Sequence, residues 1–271
     1  MTITTPVSRV VGACLLDARE GRMMLPEQPA ELLGTDPRTL LALEDGRLEI
    51  SPRALTELTT LYRFGHAQAL ERLLAGRPDW NGKVRDREPG HAQRLAACAR
   101  SSGRVRWWST VYLPTPLQTR DYARAMGETS PTGHGAPRPA VRNTVYVLDA
   151  AVIQHGGATP RLMAEQLDHL LSLLDSGTDI RVAPGAHVDP QPPLHVVDLA
   201  LPAGRVLAWP DREGVDYCAT GRPAFHIDAA LAGTDPRSSR DALVRAADSH
   251  RARTALSPAA PAPTESPADV H

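Results

Sequence analysis

The chain is expected to be α+β, with an all-α five-helix segment first and a mixed α/β domain with a largely antiparallel sheet after it. Three observations predict this. Apolar residues between positions 8 and 76 recur at helical spacing in five short stretches. Beyond residue 143, short runs rich in Val, Leu and Ile stand between Gly and Pro punctuation, as strands require. The 271 residues, 42% hydrophobic and 23% charged, suffice for about two domains of ordinary size.

Each element has a local reason. The stretches "VVGACLLDARE", "PAELLG", "PRTLLALEDG", "PRALTELTTLYR" and "GHAQALERLLAG" are the expected helices of a first domain at 8–76. Asp36 supplies an N-cap with Pro37 at the first helical position, Ser51 and Pro52 repeat the pair, and Gly34 and Gly46 end the intervening helices. Pro26 and Pro29 predict a short second helix. Residues 77–106 read as a basic connector that regains a helix at "GHAQRLAACARSS". A second domain at 107–248 is expected to hold a helix in "TPLQTRDYARAM", a strand in "NTVYVLDAAVI" and an amphipathic helix in "TPRLMAEQLDHLLSLLD". Further strands are expected in "TDIRVAP", "PLHVVDLAL", "GRVLAWP" and "GVDYCAT". Residues 249–271 are rich in Pro, Ala and Ser without an apolar period and read as a disordered tail.

A formal net charge of −1 gives no global attraction to nucleic acid or to a membrane surface. Locally the balance differs: residues 1–76 carry 8 cations against 10 carboxylates, whereas residues 83–106 carry 7 against 2. That stretch is a candidate grip on a phosphate backbone or a solvated helix face. Cys14, Cys98 and Cys218 lie far apart without a C-x-x-C pair, which argues against a disulfide framework and a structural zinc site. No apolar run is long enough for a signal peptide core or a membrane span, so the expected location is the cytoplasm.

The "ELLGTDPRTLLALEDG" segment resembles the xenobiotic-response-element (XRE) type of helix-turn-helix. Ala30 and Leu33 stand on the second helix, Gly34 in the turn, and Glu44 and Gly46 at the end of the reading helix. "VYLPTPLQTRDYARAM", "LDAAVI" and "LMAEQLDHLLSLL" are similar to successive blocks of a family of actinobacterial regulators. The resemblance implies an XRE-type DNA reader fused to a C-terminal antitoxin-like domain, acting with DNA and with a small partner protein or a small-molecule ligand, as a homodimer.

Base reading needs polar donors and acceptors, and phosphate contact needs cations or small polar groups. Arg38, Thr39 and Arg47 are the candidates for DNA contact, whereas Leu41, Ala42 and Asp45 occupy other exposed positions of the reading helix. In the second domain, Trp107, Trp108 and Gln118 are the candidate ligand contacts. Tyr122, Asp149, His155 and Glu165 are the candidate acids and bases if the chain is an enzyme. "QHGGATP" resembles an esterase oxyanion loop, yet no nucleophile elbow accompanies it, and neither a phosphate-binding nor a dinucleotide-binding loop occurs. His155, His169, His187, His195 and His226 lack metal-ligand spacing, so neither a metal nor a cofactor is expected.

Three functional expectations stand. The first is a transcription regulator whose C-terminal domain senses a ligand or partner. The second is a regulator-derived protein that has lost DNA binding and binds or converts a small molecule in a biosynthetic pathway, suggested by the acidic reader. The third is an interaction module holding a small protein.

Overall fold

Helix α1, Pro6–Glu20, starts where the Thr5 hydroxyl accepts the N–H of Ser8 and Pro6 begins the first turn. It opens a set of five helices at the expected places: α2 (Glu27–Leu32), α3 (Pro37–Glu44), α4 (Pro52–Leu61) and α5 (Ala67–Ala75) follow. The computed structural model describes residues 5–127, 143–155, 157–184, 195–219 and 223–256. Both expected caps form. Asp36 accepts the N–H groups of Arg38 and Thr39 at 2.9 and 3.1 Å, and Ser51 accepts that of Ala54 at 3.2 Å. Helix α2 is short, and Pro29 falls in its first turn, where the missing N–H would have had no partner inside the helix.

Two glycines set how α1 and α3 meet. A Cβ on Gly12 would lie 2.5 Å from the carbonyl oxygen of Glu44, and one on Gly46, at φ +73°, would lie 2.5 Å from the Cα of Arg9. The backbone of α1 therefore touches the C-terminal end of α3 directly, and a larger residue at either position would force them apart.

Beyond α5 the chain runs β1 (Val84–Asp86), α6 (His91–Arg100), β2 (Val105–Ser109), a 3₁₀ turn (Thr115–Leu117), α7 (Arg120–Ala125) and β3 (Thr144–Asp149). Then come α8 (Ala150–His155), α9 (Pro160–Asp175), β4 (Asp179–Ala183), β5 (His195–Leu201), β6 (Gly204–Pro210), β7 (Val215–Cys218), α10 (Pro223–Ala232) and α11 (Pro236–Leu256). The strands form one seven-stranded sheet in the order β1-β7-β6-β5-β2-β3-β4. It is mostly antiparallel, as expected, with β2–β3 and β3–β4 parallel. The chain is α+β.

Four expectations need correction. The connector at 77–106 is part of the fold, since β1 pairs with β7 in the register Val84↔Tyr217 and α6 packs on α1. The boundary before Trp107 cuts through β2, a central strand hydrogen-bonded to both β3 and β5. The run "AAVI" continues no strand: the Asp149 carboxylate accepts the N–H of Ala151 at 2.8 Å and turns the chain into α8. Finally, α11 continues through Leu256, past the expected start of the tail, because Leu243, Ala246, Ala247 and His250 make a buried stripe beside α9. The rest of the expected tail, 257–271, lies outside the described residues.

One core joins everything that positions the candidate sites. Val10, Cys14, Leu40, Leu58, Cys98, Trp107, Leu148, Leu167, Tyr217 and Leu243 belong to a single buried cluster that runs from α1 across one face of the sheet to α11. A smaller cluster on the other face gathers Trp108, Val147, Ala183, Val196, Leu207 and Ile227 under α10. Among the described residues, no helix is long and apolar enough to cross a membrane.

Candidate functional site

Helix α3 is held from behind by three buried polar side chains. The Nε of Arg19 donates to both carboxylate oxygens of Glu44 at 2.9 Å, its Nη1 donates to the carbonyl of Met24 at 2.9 Å, and the Tyr62 hydroxyl donates to Glu44 Oε1 at 3.0 Å. Burial pushes the Glu44 carboxyl above its usual range despite the opposing pull of Arg19 and Tyr62. Burial and the adjacent Glu44 carboxylate hold the Tyr62 phenol well above its usual value. The network ties α1, α3 and α4 together at the last turn of α3. The outward face is then fixed in orientation.

That face carries less polar chemistry than the residue types suggest. Arg38 is exposed and makes no ion pair among the described residues. Thr39 is committed to the cap, its hydroxyl donating to Asp36 Oδ2 at 2.6 Å. Hydrogen bonds from Thr39 and from backbone N–H groups hold the Asp36 carboxyl below its usual range. Arg47 is paired with Asp45. Leu41 and Leu48 stand open beside them, 37% and 43% exposed.

Two arginines of the basic stretch, Arg94 and Arg106, are buried inside the fold, and two exposed ones, Arg87 and Arg100, are held in ion pairs. Arg94 donates to both oxygens of Asp86 at 2.6 and 2.7 Å, and to the carbonyls of Glu88 and Pro89, with neither charged side chain more than 2% exposed. Arg106 pairs with buried Asp198, Arg100 with Asp17, and Arg87 with Asp216. Neither a phosphate grip nor a solvated helix face describes buried Arg94 and Arg106, while Arg87 and Arg100 are exposed but paired. The cations at this end of the chain hold β1, α6 and β2 to their neighbours.

The candidate residues of the second domain are not brought together. Strand alternation sends Trp107 and Trp108 to opposite faces of the sheet, where both are buried. Trp107 stacks on Tyr146 with ring centroids 6.2 Å apart and packs in the core. Gln118 donates from Nε2 to the Leu113 carbonyl at 2.8 Å and fixes the loop before α7. Tyr122 is fully buried on α7, and Asp149 is buried as the cap of α8. His155 is exposed at the end of α8, while Glu165 pairs with Arg161 at 3.0 Å on the outer side of α9. Glu165 does line a shallow cleft with Arg161, Ala164, Asp168, Arg251 and Thr254, but its charges are balanced by their own pairs. Of the histidines, His187 and the side chain of His226 lie outside the described residues, as does Gly156 of "QHGGATP".

The pattern of residue types does not reveal a Ser–His contact at the end of the sheet. Ser109 and His195 are cross-strand partners of β2 and β5, and Ser109 Oγ lies 2.7 Å from His195 Nδ1. The Tyr112 ring covers the imidazole, centroids 6.0 Å apart. Ser109 has no exposed surface and His195 is half-buried, so the contact ties β2 to β5 at the end of the sheet. Burial lowers the His195 pKa to about 4 from 6.5. Because the folded value is depressed, the contribution is present above pH 6.5 and is lost as pH falls toward 4. The expected size is about 3 kcal/mol, and a urea titration series should show the midpoint rising over that window. His195→Phe should remove most of the rise. An unchanged pH profile in that variant would count against the assignment.

A family model described as a domain of unknown function, DUF5753, matches residues 92–256, more than half of the chain. The chain belongs to the DUF5753 family. Its DUF5753 match takes in α6 and β2 together with everything to the end of α11, and so begins before the boundary expected at Trp107. No curated protein and no solved structure matches the chain.

Proposed function

We propose that this DUF5753 chain is a helix-turn-helix transcription regulator of the XRE type that acts as a homodimer in the cytoplasm. In this reading the first five helices form the reader, α3 enters the major groove, and the DUF5753 domain senses a small protein partner or a small molecule. One observation carries the proposal: α2 and α3 are joined by a tight turn at Gly34, φ +63°, while the Arg19–Glu44–Tyr62 network fixes α3 with Arg38 pointing to solvent. Arg38 is then the principal side-chain contact, Thr39 acts as the cap, and Arg47 joins a phosphate only by leaving Asp45.

A second reading is supported by the leucines on the same face. Leu41 and Leu48 offer no hydrogen bonds to bases, which favours a regulator-derived protein that no longer reads DNA and instead binds or converts a small molecule. The dispersion of Trp107, Trp108, Tyr122, Asp149, His155 and Glu165 leaves that reading without a convergent site. A gel shift with the DNA upstream of the chain's own gene separates the two. The first predicts a complex at micromolar protein that weakens as salt is raised; no salt-sensitive shift contradicts it.

A further inference from the structure

Trp80 is 92% exposed, on a turn that is held rigidly. Asp79 accepts the N–H groups of Asn81 and Lys83 at 2.8 and 2.9 Å, its own N–H donates to the Lys83 carbonyl at 2.8 Å, and Gly82 closes the turn at φ +73°. The base of the turn is clamped to the sheet. Lys83 Nζ sits 4.3 Å above the Trp209 ring, and the Cys218 thiol donates to the Asn81 carbonyl at 3.8 Å. Such a turn presents its indole at little entropic cost on binding. Arg77 and Arg85, on either side, are exposed and make no ion pair among the described residues. A rigid tryptophan flanked by free arginines has the composition of an interface anchor, and it calls for an apolar seat rimmed by carboxylates.

The same chain carries such a seat on the outer side of α2 and α3. Leu32, Leu41 and Leu48 are 48%, 37% and 43% exposed, and the Leu48 N–H donates to the Ala42 carbonyl at 3.1 Å, which keeps Leu48 beside the last turn of α3. Glu31 and Glu49 are chain neighbours of Leu32 and Leu48, and Glu27 lies one turn before Glu31 on α2. These three exposed carboxylates, which make no ion pair among the described residues, outnumber the one exposed unpaired cation beside them, Arg38. Trp80 and these leucines are all open to solvent within one chain, so they do not cover each other there. We infer that the Trp80 turn of one copy docks on the Leu41–Leu48 face of a second copy, with Arg77 and Arg85 opposite Glu27, Glu31 and Glu49. A twofold axis makes the contact twice. Where α3 reads DNA, this contact covers it, so the dimer formed through Trp80 excludes DNA binding, and the DNA-bound homodimer of the proposed function is held by a different contact. That consequence rests on the proposed function; the contact does not.

Sedimentation velocity of the full chain over a micromolar concentration series tests the contact. The expected result is a dimer that weakens as salt is raised, with Trp80→Ala and Leu48→Ser each raising the dissociation constant about thirtyfold. The double variant should lose little more than either single one, because both remove the same contact. A wild-type chain that stays monomeric overturns the inference. So does a dimer insensitive to Trp80→Ala, or one sensitive to Trp80→Ala but not to Leu48→Ser. A dimer with the expected sensitivities supports the contact; if the Trp80→Ala variant, which uncovers α3, still shifts no DNA, the regulator reading fails while the contact stands, so the two failures are distinguishable.

Discussion

Replacing Arg94 with Ala should lower the unfolding free energy by about 3–5 kcal/mol, because it leaves the Asp86 carboxylate charged and unpaired in the interior. Arg94 is among the largest fully buried side chains, and its guanidinium meets Asp86, Glu88 and Pro89 at once. Burial alone would lower the pKa of this cation, yet the hydrogen bonds and charge of Asp86 outweigh it and hold Arg94 above its usual value. The pair ties α6 to β1, the edge strand that the chain adds to β7. In a thermal scan the loss corresponds to a fall in melting temperature on the order of 10 °C. Arg94→Met with Asp86→Leu should cost much less than Arg94→Ala, since it removes both charges and keeps most of the volume. Equal costs for the two variants would show that packing volume, not the unpaired charge, sets the penalty.

Glu44→Ala should have an effect of the same order, about 3–5 kcal/mol, through the opposite charge. It strands the Arg19 guanidinium, 7% exposed, and leaves the Tyr62 hydroxyl without its acceptor behind α3. The raised Glu44 carboxyl indicates that burial costs this group more than its partners return. With the folded value above the unfolded one, its contribution is largest at acid pH and diminishes as pH rises through the usual carboxylate range to the folded value. Arg19→Met together with Glu44→Leu should therefore recover most of the loss, falling short of the wild type by about 1–3 kcal/mol for the Tyr62 hydroxyl left without its acceptor. Urea titration of the three proteins at neutral pH checks this, and a double variant no better than Glu44→Ala would contradict it.

Local chemistry was readable in the sequence where the interacting groups are neighbours along the chain. Asp36 with Pro37 and Ser51 with Pro52 start helices because a cap acts on amides two or three residues away. Strands β4 to β7 are legible because turns bound each apolar run. The apolar run after Asp149 suits a strand or a helix equally, and only the Asp149 cap separates the two. Helix α11 carries readable signals. Asp235 accepts the N–H groups of Arg237 and Ser238 ahead of a stripe at Leu243, Ala246, Ala247 and His250. Strand β1 had none of comparable strength, since three residues paired with Val215–Tyr217 leave no period to read.

The candidate site was legible only as chemistry types. Adjacent Trp107 and Trp108 look like one aromatic cluster in a linear sequence, but a strand places them in different cores. Arg94, Arg100 and Arg106 look like a basic patch until their partners, Asp86, Asp17 and Asp198, arrive from other elements. In α3 Arg38 is exposed, as its place on the helix suggests, while the burial of Glu44 against Arg19 and Tyr62 and the commitment of Thr39 to Asp36 appear only in three dimensions.

The most direct measurement of the regulator reading is the salt dependence of affinity for the upstream duplex, compared between the wild type and Arg38→Ala by fluorescence anisotropy. If α3 lies on DNA with Arg38 at a phosphate, the variant should bind more weakly and its slope of log affinity against log salt should be shallower by about one. Wild type and variant with the same affinity and the same slope would contradict the placement of α3 on DNA.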